Sequence, residues 1–256
     1  MPKQVIPSTN TAFHQDSGSA PRRCQTRRQL LALMALTLSA WAGGSLPALA
    51  QGNGRLYDPE PPVDSAYVRL ILAHAGPSVA VQVDGQERIR KLPAQEASDY
   101  LVLKEGPHTL TLIPEGKGGT PLKYPLDVVR GKSLTLAFTQ LKSDATPQRF
   151  EDRGNSNQLK AQLTAYHLDA GSGALTVSVA DSGTKVFSDL AYGRSASLQV
   201  NPIEVELSVG DGKATPHKFK VAMNQGATYS LFFVRGEKGK LQARTALNKT
   251  ERYTGP

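Results

Sequence analysis

The chain repeats itself once, at a spacing of about 95 residues. Pro107 stands opposite Pro202, Leu110 opposite Val205, Leu112 opposite Leu207, Tyr124 opposite Phe219, Leu126 opposite Val221 and Gly131 opposite Gly226. The match extends backward through Val68 with Leu163 to Ala75-Gly76 with Ala170-Gly171. After one inserted residue, Val79, Val81 and Val83 stand opposite Leu175, Val177 and Val179. Solenoid units run to about 20–50 residues, so a repeat of this length is a duplicated domain. Whatever one copy folds into, the other must fold into as well.

Each copy is made of strands. In Asn201–Val209, Ile203, Val205, Leu207 and Val209 alternate with Glu204, Glu206 and Ser208. That period of two turns one face to a core and one to water, as in an antiparallel strand. Pro202 has no N–H and suits the start of such a strand. In the first copy the same reading predicts strands at 67–73, 79–83, 87–92, 100–104, 108–113, 122–129 and 134–139. In the second it predicts 159–168, 175–180, 185–190, 196–200, 203–209, 218–223 and 228–234, then a last strand at 241–247. Asp84-Gly85 is a type I′ hairpin turn. Short strands at this spacing predict an all-β protein of two tandem, duplicated antiparallel β-sandwich domains, Ig-like or jelly-roll-like.

The N-terminus has a different character. Residues 1–29 are polar and basic, residues 30–42 are apolar, and Ala48-Leu49-Ala50 is a small-x-small site. That order predicts a secretory signal cleaved after Ala50. The apolar run is short of the ~20 residues that span a bilayer. Arg27-Arg28 leaves open a twin-arginine route. The only cysteine, Cys24, and the only tryptophan, Trp41, leave with the signal. The remaining chain therefore has no disulfide and no cysteine-ligated metal. The precursor carries +8, but residues 51–256 hold 25 Lys+Arg against 21 Asp+Glu, a net +4. This mild charge is read as a solvated surface, with weak affinity for an anionic polymer as the other reading, and it is no nucleic-acid footprint. Residues 51–65, rich in Gly, Pro and Asp, predict an extended leader. The sandwiches are expected at 66–142 and 159–247, a polar linker at 143–158, and a frayed polar tail at 248–256.

Two segments carry a family resemblance. Leu56-Tyr57-Asp58-Pro59, with Pro62 and Ser65-Ala66-Tyr67-Val68-Arg69, resembles the leader and first strand of the AlgF family, periplasmic accessory proteins of alginate O-acetylation. Asn201-Pro202, with Val205 and Leu207, resembles the second domain of that family. The resemblance implies export to the periplasm and an accessory role in acetylating an exopolysaccharide such as alginate or cellulose. It implies no catalytic residues and no cofactor. Its implied partners are a periplasmic acetyltransferase and the membrane acetyl transporter, and the positive charge adds an anionic polysaccharide as a further candidate. Leu56, Tyr57, Pro59, Tyr67, Arg69, Asn201 and Pro202 occupy motif positions and are the candidate partner-binding residues. Asp58 and the long tail depart from the family pattern.

The residues themselves give no serine acyltransferase signature. Neither Gly-x-Ser-x-Gly nor Gly-Asp-Ser occurs, and Gly171-Ser172-Gly173 reads as a turn. His74, His108, His167 and His217 have no metal-site spacing. Glu204 and Glu206 read as a solvated strand face, and Lys123, Lys218 and Lys220 as a protected edge or a basic strip. The reading is a non-catalytic adaptor that docks an acetyltransferase to the acetyl-export machinery. The alternatives are a polysaccharide-binding module and an acetyl-relay enzyme with a non-standard site.

Overall fold

The alternating stretches of the first repeat become eight strands in the computed structural model, which describes residues 60–253 apart from 117, 118 and 237. The expected signal peptide and the motif residues Leu56, Tyr57 and Pro59 lie outside the described residues. The strands are β1 (Ser65–Leu72), β2 (Val79–Val83), β3 (Gln86–Leu92), β4 (Leu101–Lys104), β5 (Gly106–Pro114), β6 (Leu122–Val128), β7 (Ser133–Phe138) and β8 (Gln148–Asp152). The second repeat supplies β9 (Ala161–His167), β10 (Leu175–Val179), β11 (Lys185–Leu190), β12 (Ser195–Val200), β13 (Ile203–Gly210), β14 (His217–Met223), β15 (Thr228–Arg235) and β16 (Leu241–Leu247). No helix occurs among the described residues.

Each repeat is a sandwich of two four-stranded sheets. The order β4-β1-β7-β8 faces β3-β2-β5-β6, and β12-β9-β15-β16 faces β11-β10-β13-β14. Val68, Leu70 and Leu72 of β1 meet Val79, Val81, Leu110 and Leu112 in the first core. Leu163, Ala165, Val177, Leu207, Val209 and Leu231 fill the second. The Asp84-Gly85 turn has φ of 52° and 82°, the positive values that a type I′ hairpin requires.

Three features depart from the sequence reading. Each sandwich holds one parallel pair, β1 with β7 and β9 with β15. Strand periodicity does not report direction, and burial on both faces, though the usual setting of parallel strands, does not report it alone, since β9 pairs parallel with β15 and antiparallel with β12. Every residue of β9 is buried. Second, the expected linker at 143–158 contains β8, which pairs with β7. Phe150 is its only large apolar residue, too little for an alternation to show. Third, the tail is tied down at its start. Tyr100 N–H donates to the Lys249 carbonyl, Glu251 N–H donates to the Tyr100 carbonyl, and Val102 N–H donates to the Glu251 side chain at 2.8 Å. Arg88 also pairs with Glu251.

The structure also corrects the repeat alignment. Val83 pairs with Leu110 and Val81 with Leu112, while Val179 pairs with Leu207 and Val177 with Val209. Leu110 is therefore the counterpart of Leu207, two residues beyond Val205. Asn201-Pro202 is not the counterpart of Gly106-Pro107. Extra residues before β13 are offset by a shorter β13–β14 loop, so a constant spacing fits both flanks and slips in between. Burial follows the corrected register, with Leu207 and Val209 buried and Ile203 52% exposed.

The inner sheets of the two sandwiches pack against each other through their remaining faces. Ile71, Ala73, Ala137 and Phe150 meet Tyr166, Leu168, Phe232 and Val234 in a third apolar cluster. Tyr166 stacks on Phe232 at 4.8 Å between ring centroids and meets Phe150 in a T-shaped pair at 5.2 Å. All described residues belong to one compact unit.

Candidate functional site

A charged group stands inside this apolar seam. Arg69 points from β1 into it, on the same face as Ile71, and is 1% exposed. Its guanidinium donates to Thr135 Oγ1 at 2.8 Å, Ser230 Oγ at 2.8 Å, Tyr166 Oη at 3.0 Å and Asn248 Oδ1 at 2.7 Å. Asp152 Oδ2 lies 3.9 Å away and supplies the countercharge. The Asp152 carboxylate accepts from Tyr100 Oη at 2.8 Å, Thr135 Oγ1 at 2.5 Å and Tyr166 Oη at 2.5 Å. Tyr100 and Phe232 place ring centroids 4.7 Å and 5.2 Å from the guanidinium carbon, within cation–π range. A buried ion pair persists only when its remaining donors and acceptors are satisfied, and here both partners are satisfied from both repeats. Burial pushes the Tyr100 and Tyr166 phenols up, so both stay neutral donors.

The motif residues are not gathered into one site. Arg69 is enclosed. Tyr67 is partly buried and lines a cavity of about 160 Å³ at one end of the seam, with Tyr100, Asp152, Asn248 and Lys249. Asn201 and Pro202 are exposed in the turn between β12 and β13. Among the described residues, no hydrogen bond or ring contact joins them to Arg69 or Tyr67. Sequence reasoning missed Tyr100, Thr135, Asp152, Ser230 and Asn248. The available signal was Arg69 itself, a charge among apolar neighbours on a strand with no polar face.

The histidines have structural surroundings. His108 Nδ1 bonds Asp84 Oδ2 at 2.6 Å, and Nε2 donates to the Lys104 carbonyl at 2.7 Å. His167 Nε2 donates to the Gly173 carbonyl, while Nδ1 accepts from Asp169 N–H. Burial lowers the His167 pKa, keeping the ring neutral. Ser172 Oγ donates to Asp169 Oδ2 at 2.6 Å, inside a turn rather than beside a histidine. His217 stacks on Phe219. Burial also lowers the His74 pKa, and its buried Nε2 has no partner.

At the opposite end of the seam, two cavities of about 440 and 690 Å³ meet at Gly171, Arg235 and Gly239. His74 lines the smaller, Lys213 and Lys240 the larger. Arg235 is pinned there by Asp169, donating to Oδ1 at 2.7 Å and Oδ2 at 3.0 Å, and by the Gly239 carbonyl at 2.6 Å. Asp169 is 1% exposed, and its carboxylate is held low against the effect of burial by Ser172, Arg235 and the Gly171 amide.

Comparison with known proteins adds a family to this geometry. The family model described as alginate O-acetyl transferase AlgF matches residues 34–230. The alginate biosynthesis protein AlgF of Pseudomonas putida is 30% identical over 201 residues, covering 77% of this chain and 86% of its own. The protein of the same name from Pseudomonas aeruginosa is 28% identical over 217 residues, covering 84% and 93%. The solved C-terminal domain of AlgF from P. aeruginosa is 26% identical, with 35% of this chain and 99% of that one covered at a TM-score of 0.30. The family model spans well over half of the chain and the P. putida protein is matched along most of its length, so this chain belongs to the AlgF family.

Proposed function

We propose that the chain is a periplasmic accessory protein of alginate O-acetylation, without transferase chemistry of its own. Its work is to hold a periplasmic acetyltransferase next to the membrane machinery that exports acetyl groups. The observation that carries this reading is the Arg69 network. A seam made of a buried, fully hydrogen-bonded charge pair and stacked aromatic rings holds two sandwiches as one stiff block. A stiff block with two repeat-related outer sheets sets a fixed distance between two partners, which is what a bridge requires. Support also comes from His108 and His167, whose ring nitrogens are all occupied by structural partners, and from Ser172, whose proton is directed at a buried carboxylate.

The test is the acetyl content of the secreted polysaccharide, read by proton NMR after the gene is deleted and then restored. Loss of acetyl at unchanged polymer yield, with recovery on restoration, is the expected result. Capture of the acetyltransferase by the tagged protein then separates bridging from other accessory work. Unchanged acetyl content overturns the reading.

A further inference from the structure

The outer edge of β12 is open where its counterpart in the first repeat is closed. Sheet order places β4 beside β1 as it places β12 beside β9. Val68 faces Leu101 and Leu163 faces Leu198, so Tyr100 and Ser197, one residue earlier, are counterparts. Both backbone groups of Tyr100 are taken by the tail: its N–H donates to the Lys249 carbonyl, its carbonyl accepts from Glu251 N–H, and Thr250 forms a parallel bridge to it. Ser197 has no such cover. His167 N–H donates to the Arg194 carbonyl, and bonded pairs alternate along an antiparallel ladder. Ala196, Leu198 and Val200 therefore turn their backbone to β9, while Ser195, Ser197 and Gln199 turn theirs outward. Among the described residues, no backbone hydrogen bond reaches those three outward positions.

The chain leaving β8 stands where the tail leaving β16 stands, yet it does not close this edge. Asn155 Nδ2 donates to the Lys160 and Gly226 carbonyls at 2.8 and 3.2 Å. Among the described residues, the hydrogen bonds that join this segment to β12 run through the Gln199 side chain, which donates to Asn155 Oδ1 at 3.3 Å and Ser156 Oγ at 3.0 Å. Burial follows the difference. Leu101, Val102 and Leu103 are buried, whereas Leu198, Gln199 and Val200 are half-buried although Leu198 and Val200 face the second core. Sheet edges that must stay unpaired are normally blunted by charge, proline or a bulge. Here β6 carries Pro125, β8 carries Arg149, β14 carries Lys218 and Lys220, β16 carries Arg244, and β3 and β11 run in broken register beside their neighbours. The β12 sequence Ser195-Ala196-Ser197-Leu198-Gln199-Val200 has no charge and no proline, and its register along β9 is unbroken.

An edge built this way suits strand addition, in which main-chain bonds supply affinity and alternate side chains supply selectivity. We propose that β12 is the docking edge for the acetyltransferase, which adds an extended segment to the four-stranded inner sheet as a further strand. The added segment bonds the outward N–H and C=O groups of Ser195, Ser197 and Gln199. Its apolar side chains, at every second position, continue the second core beside Leu198 and Val200, and its small polar ones lie on the face of Ser195 and Ser197. The tail does the same work on β4 from within the chain. The identity of the donor protein rests on the bridging reading above.

The test uses the purified protein and the purified acetyltransferase of the same pathway. Residue-resolved amide exchange is expected to be fast at Ser195, Ser197 and Gln199 in the protein alone and about tenfold slower or more with saturating acetyltransferase. Ser195→Pro/Ser197→Pro removes two outward donors and no bond to β9, a position where an edge strand accepts proline. It is expected to weaken calorimetric binding by about tenfold or more. Ser195→Thr/Ser197→Thr keeps both donors and the hydroxyl that Ser197 shares with Thr164, and is expected to bind like the parent. Slow exchange at the three amides in the protein alone means that this chain or a second copy already covers the edge, and overturns the proposal. Binding without added protection at β12, or parental affinity in a folded proline variant, overturns the edge and leaves the bridging reading standing. If the proline variant does not fold, the exchange result decides. Failure of the parent to bind the acetyltransferase overturns the bridging reading and the edge together.

Discussion

The Arg69 guanidinium of the first repeat donates to Ser230 Oγ of the second at 2.8 Å, and Thr135, which accepts from the same guanidinium, is the first-repeat counterpart of Ser230. The equivalence follows from the parallel pairs, where Val68 faces Leu134 and Leu163 faces Tyr229. One cation thus joins the same position of both copies. Replacing it by Met leaves the Asp152 carboxylate uncompensated in the seam. Arg69→Met is expected to cost about 3–5 kcal/mol in urea unfolding. Arg69→Met with Asp152→Leu should recover a large part, since removing both charges removes the desolvation penalty as well. A loss below about 1 kcal/mol for the single variant would show that the pair is not what stabilises the seam.

The start of the tail acts on the first sandwich. Glu251 is bonded to Arg88 and to Val102 N–H, so Glu251→Ala exposes the outer edge of β4. The expected cost is about 1 kcal/mol, the net value of a typical hydrogen-bonded contact. Amide exchange at Val102 should accelerate while exchange at Leu70, inside the sheet, stays slow. Equal acceleration at both sites would mean global destabilisation instead of a local strap.

Two neighbouring glycines separate space from composition. A Cβ on Gly171 meets the Arg235 guanidinium, whereas the nearest atom to a Cβ on Gly173 is 3.8 Å away. Gly171→Ala must push Arg235 off Asp169 and leave a buried carboxylate with fewer donors, at a cost of about 1–3 kcal/mol. Gly173→Ala should change stability by less than about 0.5 kcal/mol. Thermal unfolding of the two variants decides, and similar melting temperatures would contradict the account.

The His108–Asp84 pair predicts a pH dependence. Burial works to lower the His108 pKa, and the Asp84 carboxylate and Lys104 carbonyl outweigh it, so the folded value is raised. Its contribution is complete below the usual 6.5 and fades as pH rises through the folded value. The Asp84 pKa is lowered, first by His108 and then by Thr109 N–H, so its contribution is present above the usual 3.8 and fades as pH falls through the folded value. With Asp84 half exposed, the pair is worth no more than about 1 kcal/mol. The stability gap between the parent and His108→Gln should therefore be larger at pH 5 than at pH 8. A gap that grows toward alkaline pH reverses the sign and rejects the ion pair.

Alternation along single strands made most of this fold legible. Fifteen of the sixteen strands coincide with apolar alternation or apolar runs, and the Asp84-Gly85 turn has the backbone that its residues require. What the sequence concealed depends on partners distant in the chain. β8 is recognisable only once Phe150 has the seam to pack into. Two compensating length changes hid the slip at β13. The seam stayed unread because Tyr166, Ser230 and Asn248 are ordinary surface residues until a second sheet covers them. Arg69 was singled out by family resemblance alone, and the hydrogen bonds that hold it come from both repeats.

The Arg69 seam also bears on ancestry. Ile71 and Tyr166, Ala137 and Phe232, and Thr135 and Ser230 are counterparts that meet in one interface, the outline of a two-fold dimer in which each subunit offers the same patch. A true dimer of identical subunits would bring two guanidiniums into that dry space. In one polypeptide the two positions can differ, and the second copy carries Thr164 where the first carries Arg69. The two halves have thereby become complementary and are no longer interchangeable. A half expressed alone would leave its share of the seam uncovered, the Arg69 and Asp152 charges in the first and the Tyr166 and Phe232 rings in the second.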